Sequence, residues 1–131
     1  MEPSYVQGSR VIAQRLAYLA VRPERGDVVV IRSPEARARL ELKRIVGLPG
    51  ETVCWQRGRL SVNGRELEEP YAMSPPVPPG DDAPSVWRLG RREYFVAGDN
   101  RLYSRDSRVY GPVRRSAIVG KIVDSGTRYG S

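Results

Sequence analysis

The stretch Leu40-Glu41-Leu42-Lys43-Arg44-Ile45-Val46-Gly47-Leu48-Pro49-Gly50-Glu51 reads as a strand that carries Lys43 and runs into a glycine–proline turn. Lys43 and Lys121 are the only lysines, and every other basic residue is arginine. Arginine stays protonated in proteins and cannot serve as a base. The chain has no histidine and a single cysteine, Cys54. Histidine triads are therefore excluded, as are histidine and thiolate metal sites, and no cofactor or metal is expected. Acid–base chemistry near neutral pH falls to a tuned lysine or a carboxylate. Lys43 is flanked by Leu40, Leu42, Ile45 and Val46. Burial among such side chains disfavours the ammonium form and brings a lysine toward the working range of a general base. The plain alternative is a strand lysine with its ammonium in water, because lysines are seldom buried without a partner.

At 131 residues the chain has room for one domain, or one domain with a small insertion. It contains no apolar run of about 18 residues and no signal-peptide pattern. The net charge of +7 comes from arginines spread along the whole length. A nucleic-acid binder gathers its cations into a stripe with interleaved aromatics, so no nucleic acid is expected. A diffuse excess also fits work beside an anionic membrane surface. Cys54 has no partner for an internal disulfide and reads as a small hydrophobe buried in a strand.

Short strands separated by turns fill the chain. Arg10-Val11-Ile12-Ala13 is one, and the β-branched run Val28-Val29-Val30-Ile31 is another, of the kind buried on both faces. Arg39 to Val46 follows after Ser33-Pro34-Glu35-Ala36, then Thr52-Val53-Cys54-Trp55. Arg57-Gly58 is a tight turn before Arg59 to Val62, Asn63-Gly64 is the strongest hairpin signal, and Glu66 to Tyr71 returns. Met73 to Ser85 is dense in proline and reads as an exposed loop. Val86 to Leu89, Glu93 to Ala97 and Ile118 to Val123 complete the strands, and Arg101 to Gly111 is polar and turn-rich. No amphipathic helix of three turns stands out. The pattern predicts an all-β fold of antiparallel sheets. Residues 1–52 and 93–131 are expected to form its core, with 53–92 as a smaller inserted lobe.

Four blocks line up along the chain: Met1-Glu2-Pro3-Ser4, Arg25-Gly26-Asp27-Val28-Val29-Val30, Lys43 to Glu51, and Gly98-Asp99-Asn100-Arg101-Leu102-Tyr103-Ser104-Arg105-Asp106-Ser107-Arg108. In this order and spacing they resemble the signature boxes of type I signal peptidases, membrane-anchored serine proteases that remove signal peptides. Glu69-Pro70-Tyr71 and Gly120-Lys121 fit the same family. The resemblance covers nearly the whole chain and implies a Ser–Lys dyad, in which a neutral lysine takes the proton of a serine hydroxyl that attacks the scissile carbonyl. On this resemblance Lys43 is the base and Ser104 the hydroxyl that orients its amine. Arg44 is expected to pair with Asp99. Asp106 and Arg108 form a supporting ion pair, and Arg101 belongs to the same network. Without the resemblance these charges read as a solvated turn, and Ser104 would not rank above Ser107. Lys121 is expected to hold its amine in solvent on the last strand.

The family's first box reads Ser-Met-x-Pro-Thr/Ser, with the leading serine as nucleophile. That serine would stand one position before Met1, and a second oxyanion donor two positions before it. Ser4 matches the later Thr/Ser of the box and is not the nucleophile. The polypeptide as written is therefore expected to be inactive, either because it starts at the wrong methionine or because it is a remnant that has lost catalysis. The membrane anchor that precedes the box in the family is likewise not in the chain. The resemblance also implies shallow pockets for small neutral substrate residues, lined by Met1, Tyr5, Val30 and Leu42. An extended substrate would add as a strand beside the one carrying Lys43. Trp55 and Trp87 fall in the inserted lobe, where their rings suit a lipid interface or the core equally. The implied partners are signal peptides of exported preproteins and the lipid surface, and the implied location is the outer face of the cytoplasmic membrane. Three alternatives stay open: a related Ser–Lys processing or self-cleaving protease, a peptide-binding module without a nucleophile, and, suggested by charge alone, a nucleic-acid-binding barrel whose affinity would fall steeply with salt.

Overall fold

Val28–Arg32 (β1) is β-branched from its first residue to its fourth, and all four are buried. Such a run satisfies an extended backbone and two packed faces at once. The computed structural model describes residues 22–68, 83–101 and 104–122. In it β1 pairs antiparallel with Leu40–Gly47 (β2), setting Val30 against Leu42, Val29 against Lys43 and Val28 against Arg44. Thr52–Gln56 (β3), Arg59–Val62 (β4), Arg65–Glu66 (β5) and Ser85–Arg88 (β6) come next, followed by Glu93–Ala97 (β7), Val113–Arg114 (β8) and Ile118–Lys121 (β9). The strands form two antiparallel sheets, ordered β8-β7-β2-β1-β9 and β5-β4-β3-β6. The all-β antiparallel expectation holds.

The two hairpins of the smaller sheet turn where the sequence marks them. Arg57 and Gly58 have φ of 54° and 77°, and Asn63 and Gly64 have 51° and 84°. Two successive left-handed residues match the right-handed twist of the flanking strands, which is why Asn-Gly is so strong a signal. The Asn63 side chain adds a bond, its Oδ1 accepting from the Thr52 N–H at 2.9 Å.

Packing divides by strand parity. On one face of the large sheet Val29, Ile31, Ile45, Tyr94, Val96, Val113 and Ile118 make one core. On the other, Val46, Phe95 and Ala97 meet Val53, Leu60, Val62 and Leu89 of the smaller sheet, with Trp55 and Trp87 packed against them. Trp87 tilts onto Phe95 with ring centroids 4.7 Å apart. Both tryptophans are thus partly buried against the seam between the sheets.

Several expectations need correction. The second strand starts at Leu40, one residue late, because the Arg39 N–H is spent on the Ala36 carbonyl in the loop. Ser85 belongs to β6, paired with Trp55, rather than to the proline-rich loop. The polar stretch 101–111 holds a one-turn helix, Ser107–Tyr110 (α1), started by Asp106, whose carboxylate accepts from the Arg108 N–H. Strand β8 and the 3-10 turn Arg115–Ala117 are too short to leave a periodic trace. Cys54 is only half-buried. The expected strand at 10–13, most of the proline-rich segment and the end of the 66–71 return lie outside the described residues.

Gly47 is where the second strand crosses the seam. A Cβ there would stand 2.6 Å from a Val53 methyl, 2.9 Å from Leu89 and 3.0 Å from Phe95. Gly47→Ala is therefore expected to lower stability by about 1–3 kcal/mol, the usual cost of overpacking. Urea unfolding measures it, and an unchanged midpoint would contradict this packing.

Candidate active site

Side chains alternate across a strand, so consecutive residues serve opposite sides of the sheet. On β2 this puts Glu41, Lys43 and Ile45 on one face and Leu42, Arg44 and Val46 on the other. Lys43 is 9% exposed. Its Nζ donates to Ser104 Oγ at 3.2 Å. Burial pushes the Lys43 amine below its ordinary value; Glu41 and then Asp106 oppose that shift, while Arg108 and Arg39 add to it. Desolvation wins, which moves this lysine toward a base.

Ser104 sits where it does because Gly98 makes room. A Cβ on Gly98 would collide with Ser104 Oγ and stand 2.6 Å from Ser104 Cβ, with Lys43 Nζ at 3.8 Å. The Ser104 N–H donates to the Asn100 carbonyl at 3.1 Å, closing the turn. Asp106 pins this turn to β7. Its Oδ2 accepts from the Gly98 N–H at 3.0 Å, its Oδ1 from the Arg108 N–H at 3.0 Å, and the Arg108 guanidinium binds both oxygens at 2.9 and 2.7 Å. Burial works to raise the Asp106 carboxyl, but Arg108 and the two backbone donors outweigh it and hold it below its ordinary value. The Arg108 guanidinium lies over the Trp55 ring at 4.7 Å, tying the site to the smaller sheet. Arg101 is buried, its Nε donating to the Gly98 carbonyl.

On the other face Arg44 binds Asp99 with two bonds, Nε to Oδ1 at 2.9 Å and Nη2 to Oδ2 at 2.7 Å. Its Nη1 reaches the Gly26 carbonyl at 2.9 Å. Arg25 donates to the Val46 carbonyl at 2.9 Å and clasps Glu51 through both its carboxylate oxygens at 2.7 Å. The Arg25-Gly26-Asp27 block and the block running from Lys43 to Glu51 are thus bonded to each other.

Seven of the residues singled out in the sequence converge here: Lys43, Arg44, Asp99, Arg101, Ser104, Asp106 and Arg108. Val30 and Leu42 stand opposite each other in register and cluster with Val28 and Ile122, on the face away from the Lys43 side chain. Met1 and Tyr5 lie outside the described residues, so the approach of Lys43 to Met1 does too. The Ser107 hydroxyl is engaged elsewhere, accepting from the buried Val96 N–H at 2.9 Å. Lys121 is on the last strand, but its amine is not held in solvent as the sequence leads one to expect. It is partly buried and pairs with Asp27 at 3.4 Å, because β9 lies against β1 near the Gly26 turn. The surroundings of Lys43 are also less apolar than expected, since the Glu41 carboxylate lies 3.9 Å from its amine. Two contributors were missed. In the sequence Gly98 stands out only as part of a block, and the close approach of Ser104 to it is visible in the structure alone. Glu41 is two residues from Lys43, and strand parity alone puts both on one face.

The family model for signal peptidase, peptidase S26, matches residues 1–124. Signal peptidase I V of Bacillus subtilis (strain 168) is 33% identical over 135 residues, covering 95% of this chain and 79% of that protein. Signal peptidase I of Leptolyngbya laminosa is 36% identical over 130 residues, 94% of this chain and 62% of its own length. The crystal structure of a signal peptidase I from Enterococcus faecalis V583 superposes with a TM-score of 0.62 at 27% identity, over 79% of this chain and 98% of that one.

Removing the charge of Asp99 weakens both carboxylate bonds of the buried Arg44 guanidinium. Asp99→Asn is expected to cost about 3–5 kcal/mol in chemical denaturation, as broken buried pairs do. A loss well under 1 kcal/mol would mean the pair is effectively solvated. Asp106 sets an acid limit. Its carboxyl is held below the ordinary 3.8, so its contribution is complete above that pH and fades as pH falls through the lowered value. Thermal unfolding should show a stability decline on acidification that is shallower in Asp106→Asn. Parallel profiles for the two proteins would contradict the pairing.

Proposed function

Because the chain belongs to the peptidase S26 signal peptidase family, we propose that it is the catalytic domain of a signal peptidase I that cuts signal peptides from exported preproteins through Lys43 and a serine immediately preceding Met1. The observation that supports this most is the buried Lys43 amine within hydrogen-bond distance of Ser104. In this mechanism the neutral Lys43 amine accepts the proton of the serine hydroxyl as its oxygen attacks the scissile carbonyl. The resulting ammonium then gives that proton to the leaving amine, and an acyl-enzyme remains. A water, deprotonated by Lys43, releases the signal peptide. Ser104 holds the amine on line throughout, and Asp106, Arg108 and Arg101 keep the Ser104 turn in place.

The substrate adds as a strand along β2. There β7 pairs only with the Arg44–Gly47 end, so among the described residues Leu40–Lys43 keeps one edge without a partner strand. Such an edge supplies main-chain hydrogen bonds to an extended peptide. Val30 and Leu42, with Met1 and Tyr5, bound the shallow pockets that exclude bulky side chains. Residues 1–52 and 93–131 act as the catalytic core and 53–92 as an inserted lobe. The domain works at the outer face of the cytoplasmic membrane, where the +7 charge favours an anionic surface.

The test compares chains with and without a serine before Met1 on a preprotein with an alanine-type cleavage site. Cleavage is expected only with the serine present. In that chain Lys43→Ala should abolish it, and Lys43→Arg should not restore it, since a guanidinium does not deprotonate. Ser104→Ala should cost less, because the base remains. The rate should rise with pH as the lowered Lys43 amine loses its proton. Full activity in Lys43→Arg, or turnover by the unextended chain that Ser4→Ala abolishes, would overturn the mechanism.

A further inference from the structure

Among the described residues Glu41 is the acid closest to the proposed base, and nothing in the mechanism above uses it. Its two oxygens are treated differently. Oε2 accepts from Arg39 Nε at 2.9 Å and lies 2.8 Å from Arg39 Nη2. Oε1 is buried and, among the described residues, accepts no hydrogen bond. It faces Lys43 Nζ at 3.9 Å. A buried carboxylate oxygen without a donor is costly, and the cheapest remedy is a cation alongside. Arg39 binds the other oxygen from the solvent side and offsets part of the charge that Glu41 presents to Lys43.

We propose that Glu41 is a positioning residue of the dyad: its charge partly offset by Arg39, it holds the Lys43 amine in its ammonium form beside Ser104 while the groove is open, and so sets the pH above which the base becomes available. The inference rests on the reading of Lys43 as the base. Among the described residues the other acids around that amine have their own partners. Asp106 is taken up by Arg108 and the Gly98 N–H. Glu35, on the loop before β2, is bound by Arg105 at 2.6 Å, and that hydrogen bond holds its carboxyl below the ordinary value. The residue across from Lys43 on β1 is Val29, which carries no charge. The Tyr110 hydroxyl on α1 is buried, which pushes its titration up, so it stays neutral where Lys43 titrates. Glu41 is therefore the group whose removal should change the amine most. Burial and Glu41 pull in opposite directions, and the protein keeps a base that is displaced from an ordinary lysine but not fully discharged.

The two lysines make the test direct. With carbon-13 at the lysine ε positions the spectrum holds two signals, and Lys121→Arg assigns them. Glu41→Gln preserves size and removes the charge. It should lower the Lys43 midpoint and leave Lys121 in place. Arg39→Gln, at an exposed position, removes the cation that offsets Glu41 and should move Lys43 the other way. In a chain with the serine before Met1, Glu41→Gln should shift the acid limb of kcat/KM to lower pH, raising the rate several-fold at a fixed pH on that limb. A Lys43 signal that titrates below an ordinary lysine but is indifferent to both substitutions would overturn this role while leaving the base intact. A Lys43 midpoint at the ordinary lysine value in every protein would overturn the base itself and this role with it. Opposite shifts from Glu41→Gln and Arg39→Gln would establish it.

Discussion

Adjacent residues of a strand face opposite ways, and Lys43-Arg44 turns that pleat into a division of labour. Lys43 goes to the face where Ser104 waits, and Arg44 to the face where Asp99 and the Gly26 carbonyl hold it. Shifting β2 by one residue would exchange the two. It would bring a guanidinium that cannot lose its proton to the Ser104 side, and leave Asp99 facing a single point charge in place of a fork. The paired register of β1 with β2, and the bond from the Ile45 N–H to the Asp27 carbonyl, are what prevent the slip. The rest of the site is built outward from that register.

Electrostatics at this site are decided by which cation meets which acid. Arginine forks take Asp99, Asp106, Glu51 and Glu35, each through short bonds to both oxygens or nearly so. Lys43 has its titration displaced downward. Its burial, not any single neighbour, dominates its titration, and the nearby acids soften that effect without reversing it. A chain without histidine thus obtains a lysine displaced below its ordinary titration, chiefly by desolvation.

Much of this was legible from residue patterns. The β-branched run at 28–31, the Asn-Gly turn, and the strand at 93–97 appear where the sequence places them, because burial on two faces and left-handed turns demand particular residue types. The pairing of Arg44 with Asp99 is expected from the resemblance to type I signal peptidases, and its two-bond geometry comes from the structure. Lys121 shows the limit. Nothing local to the last strand says that Asp27, nearly a hundred positions earlier, ends beside it. Helix α1 is one turn long, held by its Asp106 cap and by tertiary bonds rather than by any helical periodicity.

What the residues determine on their own is the chemistry available. Without histidine, and with only two lysines among many arginines, a proton-accepting side chain had to be a lysine or a carboxylate, and strand parity already placed Glu41 beside Lys43. What the tertiary structure decided is distance and solvent. Ser104 comes from a turn that follows another strand, and it reaches the amine only because Gly98 offers no Cβ in its path. Hydrophobic packing brings those strands together, and the water it excludes is what separates a base from an ordinary surface lysine. Both effects depend on contacts between residues far apart in the chain, which no local pattern encodes.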